Sequence, residues 1–213
     1  MSTRVKVCGI TSLGDAELAR SCGAWAIGLV FYPESPRRCE LGTAAEIGPA
    51  LRRQLEVVGV FVNASLDDVV GTAEAAELTM IQLHGDEGPS YCQEAARRTG
   101  LKVIKAARVR DAADVRALSA YRTNYHMLDT YVPGARGGTG ARFDWALAAE
   151  HPGEPPLILS GGIGPGNVSE AVTSVRPFAI DASSGLEASP GCKDPAKVRQ
   201  LFEGVREAAT AEV

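Results

Sequence analysis

The sequence predicts an α/β fold in which eight parallel strands close into a single (β/α)8 barrel, the TIM barrel. Short apolar runs recur about every 25 residues, each followed by a turn and a stretch with helical spacing. Several runs, such as residues 27–31 (IGLVF), are apolar on both faces, which is typical of parallel strands covered by helices. Eight such units in 213 residues, without a long linker, favour a closed barrel over an open doubly wound sheet.

The predicted strands are the apolar, β-branched runs of the chain. In order they cover residues 5–8, 26–31, 57–62, 80–83, 103–107, 125–129, 157–160 and 178–181. Helix starts are marked by capping residues, such as Ser65 before Val69 and Asn167 before Val168. Shorter helices are expected between Asp111 and Ser119 and near Asp144. We therefore expect one catalytic barrel domain over residues 1–213.

Composition and charge narrow the class of protein. The chain has 22 basic and 26 acidic residues, a formal net charge of -4, and 45% hydrophobic residues, as a globular protein does. Nucleic acid is not an expected partner, because its binding usually requires a basic face. No apolar run approaches the roughly 18 residues that span a bilayer, and the N-terminus lacks the pattern of an export signal. We expect a cytoplasmic protein without a membrane partner.

The cysteines and histidines argue against metal sites and disulfides. The five cysteines are widely spaced and form no C-x-x-C motif, so we expect reduced thiols; they are Cys8, Cys22, Cys39, Cys92 and Cys192. None of the three histidines has the spacing of metal ligands, and we expect no metal.

Two candidate catalytic residues end predicted strands, where barrel enzymes place their active sites. Cys8 ends the first strand, with Lys6 on the same face. An isolated cysteine is more often an inert packed thiol, but at this end it could accept a proton. Asp129 ends the sixth strand, and its alternative role is to bond the backbone of the following loop. Together they would form an acid and base pair for proton transfer at carbon.

Small residues follow the last two strands. Amides in such loops approach an anion closely, as in the phosphate sites of barrel enzymes, although tight turns use the same residues. Two such loops side by side favour a phosphorylated small molecule as ligand. The candidate binding residues here are Gly161, Gly162, Asp181, Ser183, Ser184 and Gly185.

Three further segments surround the predicted barrel mouth. Arg37 and Arg38 end a proline-bracketed stretch, where an arginine could bind a carboxylate or remain a solvated charge. Gln82 and His84 alternate at the end of the fourth strand and would point toward one centre, although a structural histidine is equally consistent. The glycine-rich loop over residues 131–140 suits a mobile cover.

These residues lie in motifs that resemble those of the phosphoribosylanthranilate isomerase family. The similarity covers nearly the full chain, in order. It comprises KVCGIT at 6–11, GLVFYP at 28–33, SPR at 35–37, GVFVN at 59–63, QLHG at 82–85, LDT at 128–130, GGTG at 137–140, FDW at 143–145, SGG at 160–162 and SSGLE at 183–187.

The resemblance implies an aldose-ketose isomerase of tryptophan biosynthesis that works without a cofactor. The reaction is the Amadori rearrangement of N-(5-phosphoribosyl)anthranilate to 1-(2-carboxyphenylamino)-1-deoxyribulose 5-phosphate. By motif, Asp129 would protonate the ring oxygen, Cys8 would remove the C2 proton, and Arg37 would bind the anthranilate carboxylate. Amides of the glycine and serine loops would bind the phosphate. The family often has tyrosine where this chain has Arg38, which leaves open which arginine binds the carboxylate.

Two other functions remain open at this point. A histidine-pathway or dual-substrate aminoaldose isomerase of the same barrel group would resemble a two-aspartate design, and Cys8 replaces the first aspartate. A non-catalytic phosphate-binding barrel would have no reason to keep Cys8 together with Asp129. We expect a monomer, with a homodimer as the alternative.

Overall fold

The computed structural model describes residues 3–130 and 144–210 of the chain. The loop predicted over residues 131–140, with its GGTG motif, lies outside the described residues. Eight parallel strands form a closed barrel, in which each strand pairs with its neighbours in sequence and β8 pairs with β1. The strands are β1 Arg4–Cys8, β2 Ala26–Val30, β3 Glu56–Phe61, β4 Met80–Leu83, β5 Lys102–Val109, β6 Tyr125–Thr130, β7 Leu157–Leu159 and β8 Ala179–Ala182. The predicted barrel is confirmed.

Helices cover the outside of the barrel. They are α1 Leu13–Cys22, α2 Leu41–Leu51, α3 Leu66–Ala75, α4 Pro89–Thr99, α5 Ala112–Ala117, α6 Val168–Val175 and α7 Pro195–Thr210. The segment expected to be helical near Asp144 is a short 3-10 helix, Trp145–Glu150, whose first turn is capped by the Asp144 carboxylate. A small antiparallel hairpin that the sequence did not predict, β9 Glu187–Ser189 and β10 Cys192–Lys193, lies between β8 and α7. No helix of the described residues is long and apolar enough to cross a membrane.

The two predicted helix caps behave differently. The Ser65 hydroxyl accepts a hydrogen bond from the Asp68 amide at 3.1 Å and caps α3 as predicted. Asn167 stands at the start of α6 but makes no capping bond with its side chain. Its amide turns back instead, accepting from the Gly164 N–H and donating to the Gly162 carbonyl, both at 2.9 Å. The helix begins after Asn167 as predicted, but the Asn167 side chain braces the preceding loop instead of capping the helix.

The inside of the barrel changes from apolar to polar along the strands. The apolar lower part is filled by Ala26, Val58, Met80, Ile104, Ala106, Met127, Ile158 and Ala179. Side chains two positions further along a strand lie on the same face, one layer nearer its carboxyl end. Met127 is thus followed by Asp129, Ile158 by Ser160, and Ala179 by Asp181. The closed lower layer supports a polar upper layer, which forms the floor of a pocket.

Candidate active site

A pocket opens at the carboxyl ends of the strands and encloses about 710 Å³, including its open mouth. The candidate residues that line it are Cys8, Arg37, Gln82, His84, Asp129, Gly161, Gly162, Asp181, Ser183 and Ser184. Gly185 is the exception. A Cβ there would collide with the carbonyl oxygen of Ile163. The absence of a side chain at Gly185 therefore allows the loops after β7 and β8 to pack closely.

Cys8 lies beside a buried ammonium group. A Cβ on Gly28 would stand 2.6 Å from the Cys8 Sγ and 3.0 Å from the Lys6 Nζ, so both atoms occupy the space that the glycine leaves. Burial raises the pKa of the Cys8 thiol and the Asp181 charge adds to this, while Lys6 and Lys193 act in the opposite direction. The resting group is therefore a thiol, with cations placed to stabilise its thiolate.

Asp181 balances the charge of Lys6 in the barrel interior. The Lys6 Nζ donates to the Asp181 Oδ1 at 2.8 Å, and the Ser160 hydroxyl donates to Oδ2 at 3.1 Å. Burial alone would lower the pKa of Lys6, but the charges of Asp181 and Cys8 outweigh it and raise that pKa. Lys6 therefore remains an ammonium group. Both oxygens of Asp181 are engaged within the protein, so its first role is to hold Lys6.

Asp129 is held by two hydrogen bonds at the end of β6. Its Oδ1 accepts from the Thr130 N–H at 2.8 Å, and its Oδ2 lies 3.0 Å from the His84 Nε2. The other ring nitrogen of His84 lies 2.8 Å from the Gln82 Nε2. The alternation expected along β4 thus places Gln82 and His84 together, in contact with the candidate acid.

The two arginines after β2 have different surroundings. Arg37 lines the pocket with 11% of its side chain exposed, and its Nε and Nη2 donate to the two oxygens of Glu187 at 2.8 and 2.7 Å. Arg38 has 48% of its side chain exposed and pairs with Glu40 at 3.5 Å. The geometry therefore favours Arg37 as the arginine that meets a ligand in the pocket.

Glu187 and Lys193 support Arg37 from outside the pocket lining, although the sequence did not single them out. The Lys193 Nζ donates to the Glu187 Oε1 at 3.1 Å and to the Ser183 carbonyl at 3.2 Å. Burial works against ionised Glu187, but Arg37 and Lys193 outweigh it and lower its pKa. Glu187 lies in the SSGLE motif and could have been found there. Lys193 carried no signal, because its place depends on the unpredicted hairpin.

The loop after β7 contributes two glycines to the pocket lining. Gly161 and Gly162 have φ angles of 90° and 66°, a conformation that favours glycine. A Cβ on Gly161 would collide with the Thr130 side chain. Among the described residues, the N–H groups of Gly161, Gly162 and Ser184 donate to no other protein group. Such free amides in adjacent loops suit an anion.

Comparison with known proteins gives a consistent result. Residues 5–204 match the family model described as N-(5'phosphoribosyl)anthranilate (PRA) isomerase. The N-(5'-phosphoribosyl)anthranilate isomerase of Citrifermentans bemidjiense is 47% identical over 207 residues, which are 97% of this chain and 98% of that one. The crystal structure of phosphoribosyl anthranilate isomerase from Thermus thermophilus is similar with a TM-score of 0.87 at 37% identity, covering 96% of this chain and 99% of that chain.

A second solved structure carries a ligand. It is a phosphoribosyl anthranilate isomerase in complex with reduced 1-(o-carboxyphenylamino)-1-deoxyribulose 5-phosphate, with a TM-score of 0.84 at 38% identity, and the match covers 96% of this chain and 99% of that chain. Nearly complete coverage in sequence and structure leaves no large part of the barrel unmatched. The chain therefore belongs to the N-(5'-phosphoribosyl)anthranilate isomerase family.

Proposed function

We propose that this protein catalyses the isomerisation of N-(5'-phosphoribosyl)anthranilate in tryptophan biosynthesis, using only groups of the protein. The observation that carries the proposal is that a thiol, a carboxyl group, an arginine and two amide-lined loops meet in one pocket. The substrate has a carboxylate at one end, a phosphate at the other and the reacting carbons between them. The pocket offers groups of matching chemistry.

Arg37 and the loops after β7 and β8 hold the two anionic ends. Glu187 occupies the Nε and Nη2 side of the Arg37 guanidinium, which leaves its Nη1 end for the anthranilate carboxylate. The amides of Gly161, Gly162 and Ser184 bind the phosphate. Binding both ends places the sugar carbons between Asp129 and Cys8.

Asp129 starts the reaction as the general acid. Its proton passes to the ring oxygen as the C1–O bond breaks, and the nitrogen lone pair forms a C=N bond to C1. The new carboxylate is stabilised by the Thr130 N–H, which already donates to its Oδ1.

Cys8 then acts as the base. The thiol first releases its proton to solvent, and the resulting thiolate removes the C2 proton. The electron pair of that C–H bond forms a C1=C2 bond while the C=N pair returns to nitrogen, giving an enolamine. When C1 takes up the proton from Cys8 and the C2 hydroxyl gives its proton to Asp129, the ketone forms, Cys8 is again a thiolate and Asp129 is again an acid. Lys6 supports this step, because its positive charge favours the thiolate that burial disfavours.

The wild-type enzyme tests the proposal directly. Purified protein mixed with N-(5'-phosphoribosyl)anthranilate should consume the substrate at a rate proportional to enzyme concentration, followed by the change in anthranilate fluorescence. A parallel assay with the histidine-pathway aminoaldose should show slower turnover, since Cys8 stands in place of the first aspartate of that design. Faster turnover of the histidine-pathway substrate, or none of either, would reject the assignment.

We also propose that the enzyme works as a single barrel domain and a monomer in the cytoplasm. Among the described residues, the exposed large hydrophobic side chains are Leu13 and Leu41, which offer little apolar surface for a stable dimer. Sedimentation velocity at micromolar concentration should give the mass of one chain, and twice that mass would show a dimer.

A further inference from the structure

Gln82, His84 and Asp129 form a buried chain of hydrogen bonds in the pocket wall. The Gln82 Nε2 lies 2.8 Å from the His84 Nδ1, and the His84 Nε2 lies 3.0 Å from the Asp129 Oδ2. The three residues are 1%, 8% and 5% exposed. Because water hardly reaches them, each must satisfy the hydrogen-bonding needs of the next.

In the orientation that the structure shows, the Gln82 amide nitrogen faces the His84 Nδ1. That nitrogen can only donate, so in this orientation Nδ1 accepts and the ring proton of neutral His84 is on Nε2. His84 then donates to Asp129, and the Thr130 N–H donates to the other carboxylate oxygen. Both donors stabilise an ionised Asp129, whereas the proposed reaction begins with a protonated one.

The Gln82 Oε1 provides a means of protonating Asp129. Within the described part of the chain, the Gln82 Oε1 is buried and has no hydrogen-bond partner. A half-turn of the amide exchanges Nε2 and Oε1, which have nearly the same size. The amide would then present an acceptor to the His84 Nδ1.

We propose that Gln82 and His84 are positioning residues that load Asp129 with its catalytic proton. A proton binds at the His84 Nδ1, the Nε2 proton moves to the Asp129 Oδ2 along the existing hydrogen bond, and the Gln82 amide turns so that Oε1 accepts from Nδ1–H. His84 is neutral before and after, and Asp129 has become an acid. The inference deepens the proposed function, since it explains how that site obtains its acid.

The other charged groups around this chain are engaged with partners of their own. On the neighbouring strand β5, Lys105 pairs with Glu87 at 2.8 Å and Arg108 with Asp86 at 2.9 Å. Across the pocket lie the pairs of Lys6 with Asp181 and of Arg37 with Glu187, and the Cys8 thiol stands beside Lys6. Within the described ranges, Asp129 is the ionisable group bonded to the His84 ring.

The protonation of His84 can be observed without substrate. The chain has three histidines, so the ¹⁵N signals of the His84 ring can be assigned by comparison with His84→Asn. At high pH we expect a proton on Nε2 and none on Nδ1. As the pH falls, Nδ1 should gain a proton. The midpoint of this NMR change should equal the midpoint of the high-pH limb of kcat/KM, where the acid form of the enzyme appears.

Gln82→Met tests the role of the amide, with Gln54→Met as the matched control on an exposed residue. Without Oε1 the protonated Nδ1 has no acceptor, so the NMR midpoint and the high-pH limb should move together to lower pH. At alkaline pH kcat should fall about tenfold while KM changes little. Gln54→Met should match the wild type in both measurements.

Two results would overturn the inference. One is an Nδ1 that stays unprotonated across the pH range in which the enzyme is active. The other is a Gln82→Met enzyme whose NMR midpoint or high-pH limb does not move. Absence of isomerase activity in the wild type would reject the proposed function alone, since the NMR titration needs no turnover.

Discussion

Glu187 sets the direction in which Arg37 presents its guanidinium group. Two parallel hydrogen bonds of 2.8 and 2.7 Å fix the plane of the guanidinium, and Lys193 in turn holds Glu187. Such fixed geometry lowers the entropy cost of binding a carboxylate. Arg38, which follows immediately in sequence, has no comparable support and is half exposed.

This difference predicts unequal effects of two neighbouring substitutions. Arg37→Ala removes a charge-assisted hydrogen bond to the substrate carboxylate, worth about 1.5–3 kcal/mol, so KM should rise roughly 10- to 100-fold. Arg38→Ala should leave KM within about twofold, because exposed pairs contribute little. Steady-state kinetics of both variants provides the measurement, and the opposite order would transfer the carboxylate to Arg38.

At the scale of elements, the loop between β7 and α6 is shaped by its last residue, Asn167. Asn167 bonds both Gly162 and Gly164 and so fixes the turn that presents the amides. The sequence could not show this, because an asparagine before a helix has the same pattern whether it caps the helix or braces the loop. Which of the two roles Asn167 takes depends on the distance between its side chain and the backbone of the preceding loop.

Asn167→Ala should therefore weaken phosphate binding more than it weakens the fold. We expect KM for the phosphorylated substrate to rise several-fold, with kcat nearly unchanged, and inhibition by inorganic phosphate to weaken in parallel. The control is Ser65→Ala, which removes a true cap and should cost about 1 kcal/mol of stability while leaving KM unchanged. An unchanged KM in Asn167→Ala would show that the loop keeps its shape without the brace.

For the molecule as a whole, local patterns were enough to predict the barrel but not its ionic network. Each predicted strand end lies within two residues of the observed one, because parallel strands between helices leave a strong apolar signal. The ends of those strands also predicted where Cys8, Asp129 and His84 would meet. The pairs of Lys6 with Asp181 and of Glu187 with Lys193 join distant parts of the chain, and no local pattern encodes them.

The stability of the whole molecule should depend on His126, which forms a hydrogen-bonded pair with His151. His126 on β6 is fully buried; its Nδ1 lies 3.0 Å from the His151 Nε2 and its Nε2 3.1 Å from the Tyr121 carbonyl oxygen. The carbonyl can only accept, so Nε2 carries the proton and Nδ1 must remain bare to accept from His151. Burial lowers the pKa of His126 from 6.5 to about 4.

Because the folded-state pKa lies below the unfolded one, the unfolded chain takes up this proton first as the pH falls. The stabilisation is complete above about pH 6.5 and is lost progressively between pH 6.5 and pH 4. Urea unfolding should give a free energy of unfolding lower by about 2–3 kcal/mol at pH 4.5 than at pH 7.5. The difference should shrink in His126→Gln, and an equal pH dependence in the variant would contradict this assignment.

The central claim is that Asp129 and Cys8 carry out acid and base catalysis in a pocket that binds substrate through other groups. The most direct test compares kcat of the wild type, Asp129→Asn and Cys8→Ala, with binding of the reduced product analogue measured alongside by calorimetry. Both variants should lose about 10²- to 10⁴-fold in kcat and bind the analogue with nearly unchanged affinity. Turnover at the wild-type rate in either variant would contradict the claim.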